Sequence, residues 1–185
     1  MTTVITHAAV GLAMGHAFAP ALRGRRYWLL CALLPVIPDG DVAGFPFGIA
    51  YGDVLGHRGL SHSLAFALVL GLAAALYLGR MEKRRGRQTL QLAALFVLLA
   101  ASHGFMDMLT NGGLGIALFS PFDVTRYFWD WRPIMVSPIG LRNFLSPWGA
   151  AVILDELRWF GPPIVFLVAS GAIYRRMVRT TNNNP

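Results

Sequence analysis

With 185 residues, 55% of them hydrophobic and 14% charged, the chain is long enough for one domain and too poor in charge for a typical soluble one, where about a quarter of residues are charged. The formal net charge of +7 is mostly arginine in short clusters beside apolar stretches, with no basic face carrying stacking aromatics, so nucleic-acid binding is not expected. The single cysteine, Cys31, excludes an internal disulfide and a cysteine-based zinc site, and reads as filler for a small apolar gap in a helix.

No cleavable signal is expected, because Met1 to Ala19 lacks a basic start and carries two histidines. The first apolar stretch, 4–18, has Gly11 and Gly15 four apart, a spacing that lets helices approach closely in lipid. It is short beside the roughly 20 residues of a full span. His7 lies near its start and His16 near its end, and Arg23, Arg25 and Arg26 follow. The second stretch, 27–38, closes on Pro35 and Pro38, and Asp39-Gly40-Asp41 then presents two carboxylates on a tight turn. Residues 42–56 read as an ordered loop in which Asp53 serves a turn.

His57-Arg58-Gly59-Leu60-Ser61-His62-Ser63 comes next, with two imidazoles and a guanidinium immediately before a long apolar run. Imidazole suits a transition-metal ion near neutral pH, and a guanidinium grips phosphate or carboxylate with a fork of donors. Residues 64–79 form the clearest span, with Ser61 as its expected N-cap, and Arg80, Lys83, Arg84, Arg85 and Arg87 make a basic turn after it. The span 90–109 closes with His103 and Asp107, four apart and so on one helical face. Residues 112–147 are rich in Phe, Tyr, Trp and Pro and read as short interfacial helices and loops. The last span, 150–174, is interrupted by Pro162 and Pro163. Arg175, Arg176 and Arg179 follow it, and 176–185 reads as a polar, disordered tail after a single membrane-embedded domain, 1–175.

The fold class predicted from this pattern is all-α, an integral membrane bundle of about five transmembrane helices with an interfacial segment on its outer side. Basic loops favour the cytoplasm, so the arginine clusters set the orientation. His7, Asp39, Asp41, His57, His62, His103 and Asp107 then all fall at the outer ends of helices, although other residues chose the side. His16 maps to the inner half and stays outside the set. A lone histidine in an apolar helix is more often a hydrogen-bonded packing residue. Ionisable groups gathered at membrane depth are costly and normally paired or functional. The expected metal ligands are His7, Asp39, His57, His62, His103 and Asp107. Asp39 or Asp41 would take a proton from water, and Arg58 would hold the substrate's phosphate. Imidazole and carboxylate together suit a divalent ion, with zinc, manganese or iron all compatible. Two ions, or one ion with a base and supporting partners, both fit seven groups. Asp155 and Glu156, on the same side, read as interfacial carboxylates.

The pieces Thr6-His7, Pro38-Asp39-Gly40-Asp41, His57 to Ser63, and His103-x-x-x-Asp107-x-x-Thr110-x-x-Gly113 followed by Pro121-Phe122 occur in that order. At these residues the chain resembles the bacterial and archaeal family of membrane-bound metal-dependent hydrolases of the LexA-regulated inner-membrane type. That family is distantly similar to zinc phospholipase C and P1 nuclease. The resemblance implies zinc-dependent phosphoester cleavage of a lipid or other amphiphile in the inner membrane, and the arginine clusters put the expected site at the extracytoplasmic face. Two other classes fit the composition. An ion transporter would place its ligands at the bilayer midplane on broken helices, and a metal-binding membrane regulator would keep a closed ligand shell.

Overall fold

Alternating apolar runs and breakers build six α-helices among residues 1–18 and 24–182, which the computed structural model describes. These are α1 (Val4–Phe18), α2 (Arg25–Leu33), α3 (Leu64–Met81), α4 (Arg87–Asp107), α5 (Leu141–Phe144) and α6 (Pro147–Asn182). Among those residues there is no strand, only isolated bridges pairing Thr110 with Ile134 and Ile116 with Tyr127. The fold is therefore all-helical. Arg23 of the first basic cluster and residues 183–185 of the expected tail lie outside the described residues.

α3 shows how composition becomes a membrane element. Ala67, Gly71, Ala74, Ala75 and Leu78 are buried, while Leu68, Val69, Leu72 and Leu76 on its other side are exposed. A helix that is apolar all round is at home in lipid. α3 and α4 are each long and apolar enough to cross a bilayer. α2 and the 3₁₀ helix after it, Ile37–Phe47, are bent by 54° at their break and make a third span if the pair counts as one. α1 is apolar but has only 15 residues. Length and apolarity thus support two or three spans rather than the five expected. α6 departs from the pattern because Asp155, Glu156 and Arg158 stand near its start and Pro162 and Pro163 lie inside it. It also continues through Asn182, so residues expected in a disordered tail extend the last helix.

Small residues set the helix spacing. A side chain at Gly71 would meet the Val97 backbone nitrogen at 2.4 Å, so α3 and α4 pack backbone to backbone there. Gly11 and Gly15 do the same for α1 and α2, both against Cys31, which is buried in the gap they leave. The Tyr27 hydroxyl donates to the Gly15 carbonyl at 2.7 Å, and Tyr27, Leu34, Leu78, Leu92, Phe96 and Leu99 form the core around that seam.

Two local expectations change. Asp39 and Asp41 sit on the 3₁₀ helix rather than on a turn, and at 11 residues it is long for that tight geometry. The N-cap of α3 is Ser63, whose hydroxyl accepts from the Phe66 amide; Ser61 turns the other way, toward Asp41.

Candidate metal centre

Each part of the centre is delivered by a different element, at the end of the bundle opposite the basic α3–α4 turn. Asp39 comes from the 3₁₀ helix, His62 from the single 3₁₀ turn Leu60–His62 before α3, and His103 and Asp107 from the last two turns of α4. One donor atom from each lies within 4.8 Å of the other three. His103 Nε2 stands 3.5 Å and His62 Nε2 3.7 Å from Asp39 Oδ1, and both are 3.9 Å from Asp107 Oδ2. Ligands about 2.0–2.1 Å from a tetrahedral ion are about 3.4 Å apart, so the set is slightly wider than a loaded shell.

All four residues are buried. Asp39 Oδ1 and Oδ2, His62 Nε2, His103 Nε2 and Asp107 Oδ2 have no hydrogen-bond partner in the protein. Orphan polar atoms in a core cost about 1–3 kcal/mol each, more when charged, and one donor atom from each of the four residues lies within 4.8 Å of the other three, an arrangement that a bound cation would satisfy. The donors thus fit a divalent ion.

The surroundings hold the imidazoles ready. His103 Nδ1 lies 2.7 Å from the Pro35 carbonyl, so it carries the proton and leaves the Nε2 lone pair facing Asp39 and Asp107. His62 Nδ1 is 2.9 Å from Ser61 Oγ and 3.2 Å from Asp41 Oδ2. Asp41 Oδ1 takes His57 Nδ1 at 2.7 Å, and its Oδ2 accepts from the Ser61 hydroxyl at 2.6 Å and the Arg58 amide at 3.3 Å. Burial works against a proton on His62, but Asp39 and Asp41 outweigh it and raise its pKa. The same negative field favours a cation in the proton's place.

Other expected residues fall around this core. Asp41, His57 and His62 form a second group with donor atoms within 4.8 Å of one another. His7 joins neither group. It stacks on the His103 ring at 4.0 Å, with Nε2 3.4 Å from Asp107 Oδ1 and neither ring nitrogen hydrogen-bonded. Arg58 is fully buried at φ +65°, a strained backbone for a non-glycine residue. Its guanidinium donates to the Gly112 carbonyl and to Thr110 Oγ1, each at 2.7 Å, and Nε lies 3.5 Å from Asp107 Oδ2. His16 is remote from the centre; its carbonyl accepts from Arg175.

Some partners carried no sequence signal. The Thr2 amide donates to Asp107 Oδ1 at 2.6 Å. Glu156 accepts from the Thr3 amide and the Thr3 and Thr6 hydroxyls, which ties α6 to the start of α1. Arg126 reaches the carbonyls of Tyr51, Gly52, Asp53, His57 and Gly115 at 3.2–3.4 Å and clamps the loop before the motif to the segment after α4. Of these partners, Thr6 and His57 stood within the quoted motifs. Asp53 serves a turn as expected, accepting from the Ala50 amide.

The sequence profile of the YdjM inner membrane protein family matches residues 1–180. The inner membrane protein YbcI of Escherichia coli (strain K12) is 39% identical over 168 residues, which cover 91% of this chain and 95% of that protein. No solved structure matches the chain.

Proposed function

The chain belongs to the YdjM inner membrane protein family, and we propose that it is a metal-dependent hydrolase of phosphoester bonds in a lipid or other amphiphile. The family and the apolar helices support an inner-membrane location. The reading adds five spans, with the centre at the extracytoplasmic rim opposite the basic turns. The observation that carries it is the convergence of four buried donors, one each from Asp39, His62, His103 and Asp107, that no hydrogen bond occupies.

In this reading those four residues hold the ion, zinc first and manganese or iron next. When bound, such an ion supplies Lewis-acid chemistry, polarising a phosphoryl oxygen and easing the loss of a proton from water. Asp39 has two unpartnered oxygens, one for the ion and one to accept that proton. Asp41 holds the rings of His57 and His62 rather than taking the proton itself. Arg58 is assigned to Asp107 in place of the phosphate contact that the sequence suggested, since two of its donors already serve Gly112 and Thr110. His7 supports the His103 ring from the far side.

One observation favours a second reading, a non-catalytic metal-binding regulator: four buried protein donors are what a closed structural shell requires. The deciding experiment is to purify the protein, count its bound metal, and assay phosphodiester and phospholipid cleavage beside His103→Ala. Metal and cleavage lost together in the variant support the hydrolase. Metal retained by the unaltered protein with no cleavage of any phosphoester supports the regulator, and no bound metal sinks both.

A further inference from the structure

A groove runs along α1, α4 and α6, and its α4 wall includes the residues just before His103 and Asp107. Val10 and Met14 of α1, Leu98 and Ala101 of α4, and Ile164 and Leu167 of α6 wall it, and Trp129 lies at one end. Its volume is about 580 Å³ and no charged residue lines it. The Trp129 indole is committed to the Phe105 carbonyl, so no polar atom of that ring is left for a headgroup. Val10 stands one turn from His7, and the lining residues Ser102 and Met106 precede His103 and Asp107 in the chain. Groove and centre therefore share α4, and α1 reaches the centre only through His7, which stacks on His103.

Dimensions decide what fits. From Leu98 to Leu109 the groove covers about 16 Å along α4, close to half of a bilayer's roughly 30 Å core. The groove is thus about one leaflet deep. It flanks α4, a helix apolar enough to span the membrane, where hydrocarbon is the surrounding medium.

We infer that this groove seats a single acyl chain of a membrane lipid, with the polar end of that lipid at the depth of His103 and Asp107. The binding site rests on the groove's own shape and lining; that its occupant is the substrate's tail rests on the hydrolase reading.

The test uses the full chain in detergent, titrated with stearate brominated in mid-chain, whose bromines quench tryptophan on contact. Saturable quenching with one stearate per chain is expected. It should disappear in Ala101→Phe and in Val10→Phe, each of which puts a ring into the groove, and persist in Leu72→Phe on the exposed face of α3. Trp129→Phe should remove the quenched component. Quenching that never saturates, or that is equal in Ala101→Phe and Leu72→Phe, overturns the proposal. So does an Ala101→Cys protein that crosslinks to a second copy in membranes, because the groove would then seat protein. Metal content is read on the same samples. Stearate bound by protein that holds no metal overturns the hydrolase reading and leaves the acyl-chain site standing, whereas metal held without a stearate site overturns the groove alone.

Discussion

The two ends of the α3–α4 hairpin handle charge in opposite ways. At the basic turn, Arg80, Lys83, Arg85 and Arg87 are exposed, and only Arg84 is tied to a carboxylate, that of Glu82 at 2.7 Å. At the other end, Asp39, His57, Arg58, His62, His103 and Asp107 are all buried, and the ring nitrogens of His62 and His103 that face away from the four-donor centre have partners. Water solvates the first group at little cost, so those charges are free to serve orientation and need no precise geometry. The second group has given up water, and a buried charge persists only when paired or bound to a cation. Where partners are supplied for the backs of the rings and withheld at their fronts, the protein has left room for an ion.

Substitutions at the two ends should differ in kind. The largest effect is expected for Asp107→Ala, which deletes one of the four facing donors and strips buried Arg58 of its carboxylate. Metal content should fall to background, and stability should drop by about 3–5 kcal/mol in a thermal or denaturant melt. Asp107→Asn keeps the shape and should lose the metal with a smaller loss of stability. Metal retained by both variants would break the contrast between the ends.

Asp41→Asn comes next. Asp41 holds His57 Nδ1 and faces the His62 ring nitrogen opposite the one at the four-donor centre, and such supporting carboxylates are worth about 10–100-fold in metal affinity. Competition against a chelator measures this, and an unchanged affinity would show that Asp41 orients nothing. Arg126→Met removes the clamp on five backbone carbonyls and should cost about 1–3 kcal/mol of stability with the metal stoichiometry intact. Loss of metal there would mean that the clamp belongs to the centre. The smallest effect is expected for Arg84→Ala, within about 0–1 kcal/mol and with no change in metal, because its pair with Glu82 is partly in water. A large effect at Arg84 would erase the distinction between the two ends.

Much of this was legible in the chain itself. The runs around Leu64–Met81 and Arg87–Asp107 announced helices by length and apolarity, and the i,i+4 spacing of His103 and Asp107 put both on one face. His57 to Ser63 stood out because ionisable groups beside a membrane-length segment need a reason. The short stretches were harder. A helix of 9 residues running into a 3₁₀ segment bends at its break, and nothing in the composition of residues 27–47 says whether the bend falls within one span or between two. α6, with carboxylates near its start and prolines within it, likewise fell short of the span its apolar stretch suggested.

The sequence by itself determined the helical class, the membrane habit and the pool of donors, because apolarity and periodicity are summed locally along the chain. The tertiary structure alone divided the labour within that pool. Asp39 and Asp41 are two residues apart, yet one faces the four-donor centre and the other holds Nδ1 of His57 and of His62. Arg58 looked like a phosphate grip and turned out to be bound to Thr110 and Gly112, and His7 fell beside the donor set instead of within it. The physical reason is directional: a hydrogen bond or a metal ligand depends on where a single atom points. The partners that aim these atoms lie as far off as Thr2 from Asp107, 105 residues away, a distance that only the packing of helices closes.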